Sequence, residues 1–200
     1  NSWVEEATAS ELGLRGIWID SEPEIFAVGF LNSPHGACEG IIWHYNGTAW
    51  SVFYSYEASD MSSDGGLWGV WGSSNSDVFA VGINGTILHY NGSSWETMTS
   101  GTTNPLYGIW GSSGSNVFAV GGNGTILHYN GSSWSAMTSG TTITFNGIWG
   151  SSESDVFAVG GNGTILHYNG SNWSAMTSGT KITFNAIWGS SGSDVFAVGA

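Results

Sequence analysis

The chain has 200 residues, 15 of them acidic against only Arg15 and Lys181, which gives a formal net charge of −13. A surface of that sign repels phosphate, which argues against nucleic-acid partners and against anionic membranes. A hydrophobic content of 40% can bury a sizeable core. No apolar run approaches the roughly 18 residues of a membrane-spanning helix, and the single cysteine, Cys38, forms no internal disulfide.

Read from the N-terminus, the chain opens on Asn1-Ser2-Trp3, then Gly16-Ile17-Trp18, then EIFAVG at 24–29 and WHYNGTAW at 43–50. The same phrases return three times almost verbatim: VFAVGINGTILHYNGSSW at 78–95, VFAVGGNGTILHYNGSSW at 117–134 and VFAVGGNGTILHYNGSNW at 156–173. Trp71, Trp110, Trp149 and Trp188 are each 39 residues apart, as are His89, His128 and His167. A fixed period of this length means one supersecondary unit stacked on copies of itself.

Each unit divides into four short apolar runs, A to D, rich in Val, Ile, Phe, Tyr and Trp, which reads as four strands. A polar SSxS turn separates A from B. Asn-Gly separates B from C and again C from D. Asn-Gly between strands predicts a type I′ hairpin, because that turn needs positive φ at both central residues. A longer segment of the TSGTTITF kind leads from D to the next A. Four antiparallel strands in a 39-residue repeat predict an all-β chain, a β-propeller or an arc of one, with about five repeat units. A β-solenoid would have shorter coils and fewer hairpins.

Residues 1–200 read as one repeat domain: 1–66 is a divergent unit, and 67–200 holds the near-identical ones. The ends supply strands A, B and D of a further blade but no C. The pattern therefore predicts a segment of a longer array, or a neighbouring molecule covering the gap, since an open strand edge invites aggregation.

The run AVGGNGTILHYNGSSW at 119–134 resembles the repeat of sialidase-like and photosystem II assembly-factor-like β-propellers, a loose superfamily of bacterial, often secreted or surface-exposed proteins. The resemblance covers 67–200 closely and 1–66 loosely. It implies the propeller fold, on which scaffolds, assembly factors, carbohydrate-binding proteins and glycosidases all occur. The sialidase arginine triad has no counterpart, because Arg15 is the one arginine. The Asp-box SxDxGxxW is unmatched too, because HYNGSSW lacks its Asp. The resemblance therefore implies the assembly-factor type rather than the enzyme type.

Candidate sites follow from the repeat and from its interruptions. His44, His89, His128 and His167 occur once per unit on strand C, which is not the innermost strand, so they read as structural imidazoles rather than as a metal ring. Trp18, Trp71, Trp110, Trp149 and Trp188 on strand A read as packing between blades. Trp50, Trp95, Trp134 and Trp173, which open strand D beside Ser/Asn-rich turns, either pack blades or offer a glycan-stacking platform. The sequons at Asn46, Asn84, Asn91, Asn123, Asn130, Asn162 and Asn169 are explained by their hairpins; Asn172 is not. Glu22, Glu24 and Glu39 have no calcium-loop spacing.

Two insertions, 30–41 and 54–67, break the divergent unit, and loops on a rigid scaffold are where binding residues sit. Phe30, His35, Tyr54, Tyr56 and Met61 are the partner-binding candidates there. No nucleophile–base set, cofactor loop or metal motif can be assembled. The sequence thus predicts a non-enzymatic interaction module without cofactor, extracellular or at the surface of a bacterial or archaeal cell. Its partner would be a protein or neighbouring copies of itself. A lectin, or the non-catalytic part of a larger enzyme, is the alternative.

Overall fold

A computed structural model describes residues 12–20, 24–32, 38–57 and 66–200. The first sheet holds β1 (Leu12–Ile19), β2 (Glu24–Asn32), β3 (Cys38–Asn46) and β4 (Trp50–Glu57). The second holds β5 (Leu67–Ser74), β6 (Asp77–Gly82), β7 (Ile87–Tyr90) and β8 (Trp95–Met98). The third holds β9 (Leu106–Ser113), β10 (Asn116–Gly121), β11 (Ile126–Tyr129) and β12 (Trp134–Ala136). The fourth holds β13 (Phe145–Ser152), β14 (Asp155–Gly160), β15 (Ile165–Tyr168) and β16 (Trp173–Met176), and the fifth only β17 (Phe184–Ser191) and β18 (Asp194–Gly199). Strands pair antiparallel in chain order within each sheet, and no sheet closes on another. The architecture is the expected arc of propeller blades, four complete and one of two strands.

The two Asn-Gly turns do different work. Between β6 and β7, Asn84 (φ 54) and Gly85 (φ 68) are both left-handed, and the Thr86 N–H donates to Ile83 O at 2.9 Å. This is the predicted mirror-image turn. Between β7 and β8 only Gly92 has positive φ. There Asn91 stays outside the left-handed region, and its Oδ1 accepts the Ser93 and Ser94 amides at 3.0 Å each. The expectation of one turn type for both is corrected: the second is an Asx turn, in which the side chain replaces a backbone acceptor.

The core lies between sheets. In VFAVG, Phe79 and Val81 join the cluster shared with the third blade, while Val78 and Ala80 join the one shared with the first. A strand covered on both faces has no reason to alternate, which explains its unbroken apolar run. At the inner rim the A strands of successive blades interlock. A Cβ at Gly111 would lie 2.6 Å from Cη2 of Trp71, and one at Gly150 equally close to Trp110. Each indole therefore needs glycine opposite it on the next blade. In return Ile109 and Ile148 reach back over Gly69 and Gly108, whose added Cβ atoms would meet their Cγ2 at 3.2 Å.

Candidate functional site

The antiparallel order gives the arc two faces. One, the entry face, is where each A strand begins; it carries the B–C turns and the D–A crossings. The opposite face carries the A–B and C–D turns. The described residues that flank the two insertions of the first blade, at the ends of β2 and β4 and the starts of β3 and β5, lie toward the entry face. There β2 runs nine residues against six in β6, and β3 nine against four in β7, so this hairpin extends past its counterparts.

Arg15 sits where the β1–β2 register shifts between Leu14 and Gly16, a bulge that re-aims a side chain. Its guanidinium carbon lies 3.5 Å from the centroid of a Trp68 ring and 4.5 Å from that of Phe30. Trp68 meets Tyr107 edge-on at 5.0 Å. The result is a continuous row, Phe30, Arg15, Trp68 and Tyr107, across the first three blades. Cation–aromatic contacts of this kind contribute roughly 0.5–2 kcal/mol. Phe30 fits because Gly13 has no side chain; a Cβ there would be 2.2 Å from its ring. The Trp68 Nε1 is buried and has no hydrogen-bond partner among the described residues.

The repeat itself points to this row. Arg15, Trp68, Tyr107, Asn146 and Asn185 are equivalent, each three residues before the A-strand tryptophan. The position changes in chemistry while the Gly-x-Trp beside it is held, except at Ala186. Asn146 donates its amide to Phe184 O at 2.8 Å. Sequence reasoning named Phe30 and missed Arg15, Trp68 and Tyr107; the departure from the repeat was the available signal.

The other insertion candidates lie elsewhere. Tyr54 packs against Trp95 at 6.3 Å. Tyr56 lies on Gly40, where a Cβ would be 2.1 Å from its ring. The Tyr56 hydroxyl approaches Thr86 without completing a hydrogen bond of good geometry, and burial raises its pKa. Both tyrosines pack onto the core of the first two blades. His35 and Met61 lie outside the described residues, as do Glu22 and Trp3.

Three of the strand-D tryptophans, Trp95, Trp134 and Trp173, pack against the preceding blade. Trp134 is 8% exposed, and its Nε1 donates to the Met98 sulfur of the preceding blade at 3.4 Å; Trp173 does the same to Met137. Trp50 lies against Tyr45, ring centroids 5.5 Å apart. In the first blade Phe53 takes the methionine's place, its ring nearly perpendicular to that of Trp95 with centroids 6.4 Å apart, and the Trp95 Nε1 has no hydrogen-bond partner among the described residues.

On the opposite face, His89 Nε2 meets Asp77 Oδ1 at 2.6 Å and His167 meets Asp155 at 2.7 Å. Ser73 and Ser151 donate to the same carboxylates. In the first blade His44 meets Glu24 at 3.0 Å, and in the third His128 meets Asn116 at 2.9 Å. The Ser151 hydroxyl, with help from His167, holds the Asp155 carboxyl below the usual range. Burial lowers the pKa of His128. The order is serine, carboxylate, imidazole. Activating a serine requires the imidazole to contact the hydroxyl, so these series tie strands together rather than generate a nucleophile.

No protein-family model matches the chain, and no curated protein matches it. Among solved structures it is similar to the WD40 β-propeller domain of Doa1, at 12% identity and a TM-score of 0.64 over 93% of this chain and 75% of that one. It is also similar to YCF48 from Cyanidioschyzon merolae, at 15% identity and a TM-score of 0.60 over 90% of this chain and 72% of that one. A structure of YCF48 bound to D1 peptide aligns with all of this chain and 79% of its own, at 15% identity and a TM-score of 0.45. At such identities the first two likenesses speak for architecture alone, and they agree with the resemblance read from the repeat: the chain has the β-propeller fold.

Proposed function

We propose that this chain is a non-enzymatic propeller module, located at or outside the cell surface, that binds a protein partner through its entry face. The row Phe30–Arg15–Trp68–Tyr107 carries the reading. It is where an otherwise copied unit changes, and it sets a cation among large rings on an acidic molecule. Arg, Trp and Tyr are the residue types that dominate protein-interface energetics. The sparse charge and the Ser-, Thr- and Asn-rich turns support an extracellular setting, and no helix among the described residues is long and apolar enough to cross a membrane.

A displayed random-peptide library panned on the immobilised chain tests the reading. The expected result is enriched peptides whose affinity falls at least tenfold in both Trp68→Ala and Arg15→Ala, with the thermal melt of the remaining blades retained. Peptides indifferent to both changes would remove the entry face from the proposal. Binding on a glycan array that is lost in Trp134→Ala and Trp173→Ala, with no peptide enriched, would replace it with a lectin.

A further inference from the structure

Repeats this similar have to find the right neighbour. Over 117–134 and 156–173 the third and fourth blades differ only in Ser133 against Asn172. The indole-on-glycine contact is the same at three successive junctions: Trp71 on Gly111, Trp110 on Gly150 and Trp149 on Gly189. Packing at this part of the inner rim therefore does not tell one blade from the next, and repeat proteins of this kind are prone to pair their units out of order.

The opposite face does distinguish them. The second strands β6, β10 and β14 open on Asp77, Asn116 and Asp155, and the A–B turns of the blades that follow carry Gly114, Glu153 and Gly192 at one equivalent position. A Cβ at Gly114 would overlap Asp77 Oδ2 and lie 3.1 Å from Ser73 Oγ; Gly192 stands in the same relation to Asp155 and Ser151. Each of these carboxylates already holds a serine and a histidine, which leaves room only for glycine over it. Between the third and fourth blades the pair is reversed. Asn116 Nδ2 donates to Glu153 Oε2 at 3.4 Å, while its Oδ1 meets His128 at 2.9 Å. At the first junction Glu24 holds His44, and the turn that follows carries the amide Asn75. At this pair of positions each of the four junctions has one carboxylate and none has two.

We infer that this alternation is a selector that fixes which blade follows which. Glu153 is accommodated by a second strand that opens on an amide, and among the complete repeats the third alone has one. Set after the second blade, the fourth would bring Glu153 against Asp77; set after the fourth blade of another molecule, it would bring Glu153 against Asp155. Both wrong pairings put two carboxylates at one point and overfill the space that glycine leaves, so the same position rewards the right neighbour and rejects the wrong ones. Polar pairs that fix register in this way contribute more to specificity than to stability.

Urea unfolding of the full chain in two double-mutant cycles tests the pairing. At pH 8 and low salt, Asn116→Asp should raise the unfolding equilibrium constant about fivefold, and Glu153→Gly in that background should restore it by recreating the pair of Asp77 with Gly114. In the mirror cycle Gly114→Glu should cost at least as much, and Asp77→Asn should recover part of the loss. Additive effects in the Asn116–Glu153 cycle would overturn the inference, whether or not Gly114→Glu folds. The selecting role has its own measurement. Glu153→Gly alone gives the fourth blade the turn of the third, so after refolding from urea a smaller fraction of it than of the parent should return to its original size on gel filtration. Equal recovery of the two would overturn the ordering role.

Discussion

The junction between the second and third blades and the front of the fifth sheet are written in the same residues, yet one is closed and the other open. Phe79 and Val81 are fully buried, whereas Phe196 and Val198, their equivalents, are 60% and 61% exposed. Burial here belongs to the neighbour, not to the local sequence: the phrase DVFAVG makes a strand in both places and a core only where another blade covers it. The rear of the same sheet shows the converse, because Gly189, one residue from exposed Trp188, is buried beneath Trp149.

The largest expected effect separates the two regions directly. Phe79→Ala removes a ring packed against Trp71, His89, Tyr129 and Trp134 and should cost about 3–5 kcal/mol. Phe196→Ala should cost less than about 1 kcal/mol, because little apolar area leaves water on folding. Urea unfolding of the two variants measures both; equal losses would mean that the front of the fifth sheet is covered in solution.

Next in size is the indole-on-glycine lock. Gly150→Ala and Gly189→Ala place a Cβ 2.6 and 2.8 Å from the indoles of Trp110 and Trp149. Overpacking of this kind costs about 1–3 kcal/mol, and the two melting shifts should match although one glycine lies in the half-open sheet. A smaller step is Met98→Leu, which keeps the volume but removes the acceptor of the Trp134 N–H. About 0.5–1.5 kcal/mol should be lost, against no measurable change for Met176→Leu, whose side chain is 48% exposed.

These contrasts show which parts of the molecule a single sequence could disclose. Strand order, the 39-residue period and the turn at Asn84-Gly85 follow from local chemistry: apolar runs, and a turn that demands two left-handed residues. The second turn was half readable, because Asn91 can satisfy neighbouring amides with its side chain instead of adopting positive φ. The lock of Trp71 on Gly111 and the contact of Trp134 with Met98 depend on register between blades, which no run of residues states. For the same reason the insertions point to Tyr54 and Tyr56, which pack inward, while Trp68 belongs to neither repeated tryptophan series and goes unnamed. Its equivalence to Arg15, Tyr107 and Asn146 sets it apart.

The smallest predicted effect concerns the third blade, the complete repeat in which Asn116 replaces the carboxylate facing the histidine. Burial lowers the pKa of His128 there, and no carboxylate partners its ring among the described residues. The unfolded chain therefore binds a proton at that histidine more readily than the folded one. The sign follows: this group's contribution is fully present above the unfolded value near 6.5 and is lost as pH falls through the lower folded value. Asn116→Asp would restore the arrangement of Asp77 with His89 and Asp155 with His167. An opposite charge at hydrogen-bond distance favours the imidazolium, so the His128 midpoint should rise. Stability at pH 5.5 should then increase relative to pH 8, reversing the slope of the parent blade. Proton NMR titration of the imidazole, with urea midpoints at the two pH values, measures both. A His128 midpoint unchanged by Asn116→Asp would mean that burial of this ring, rather than its partner, sets its titration.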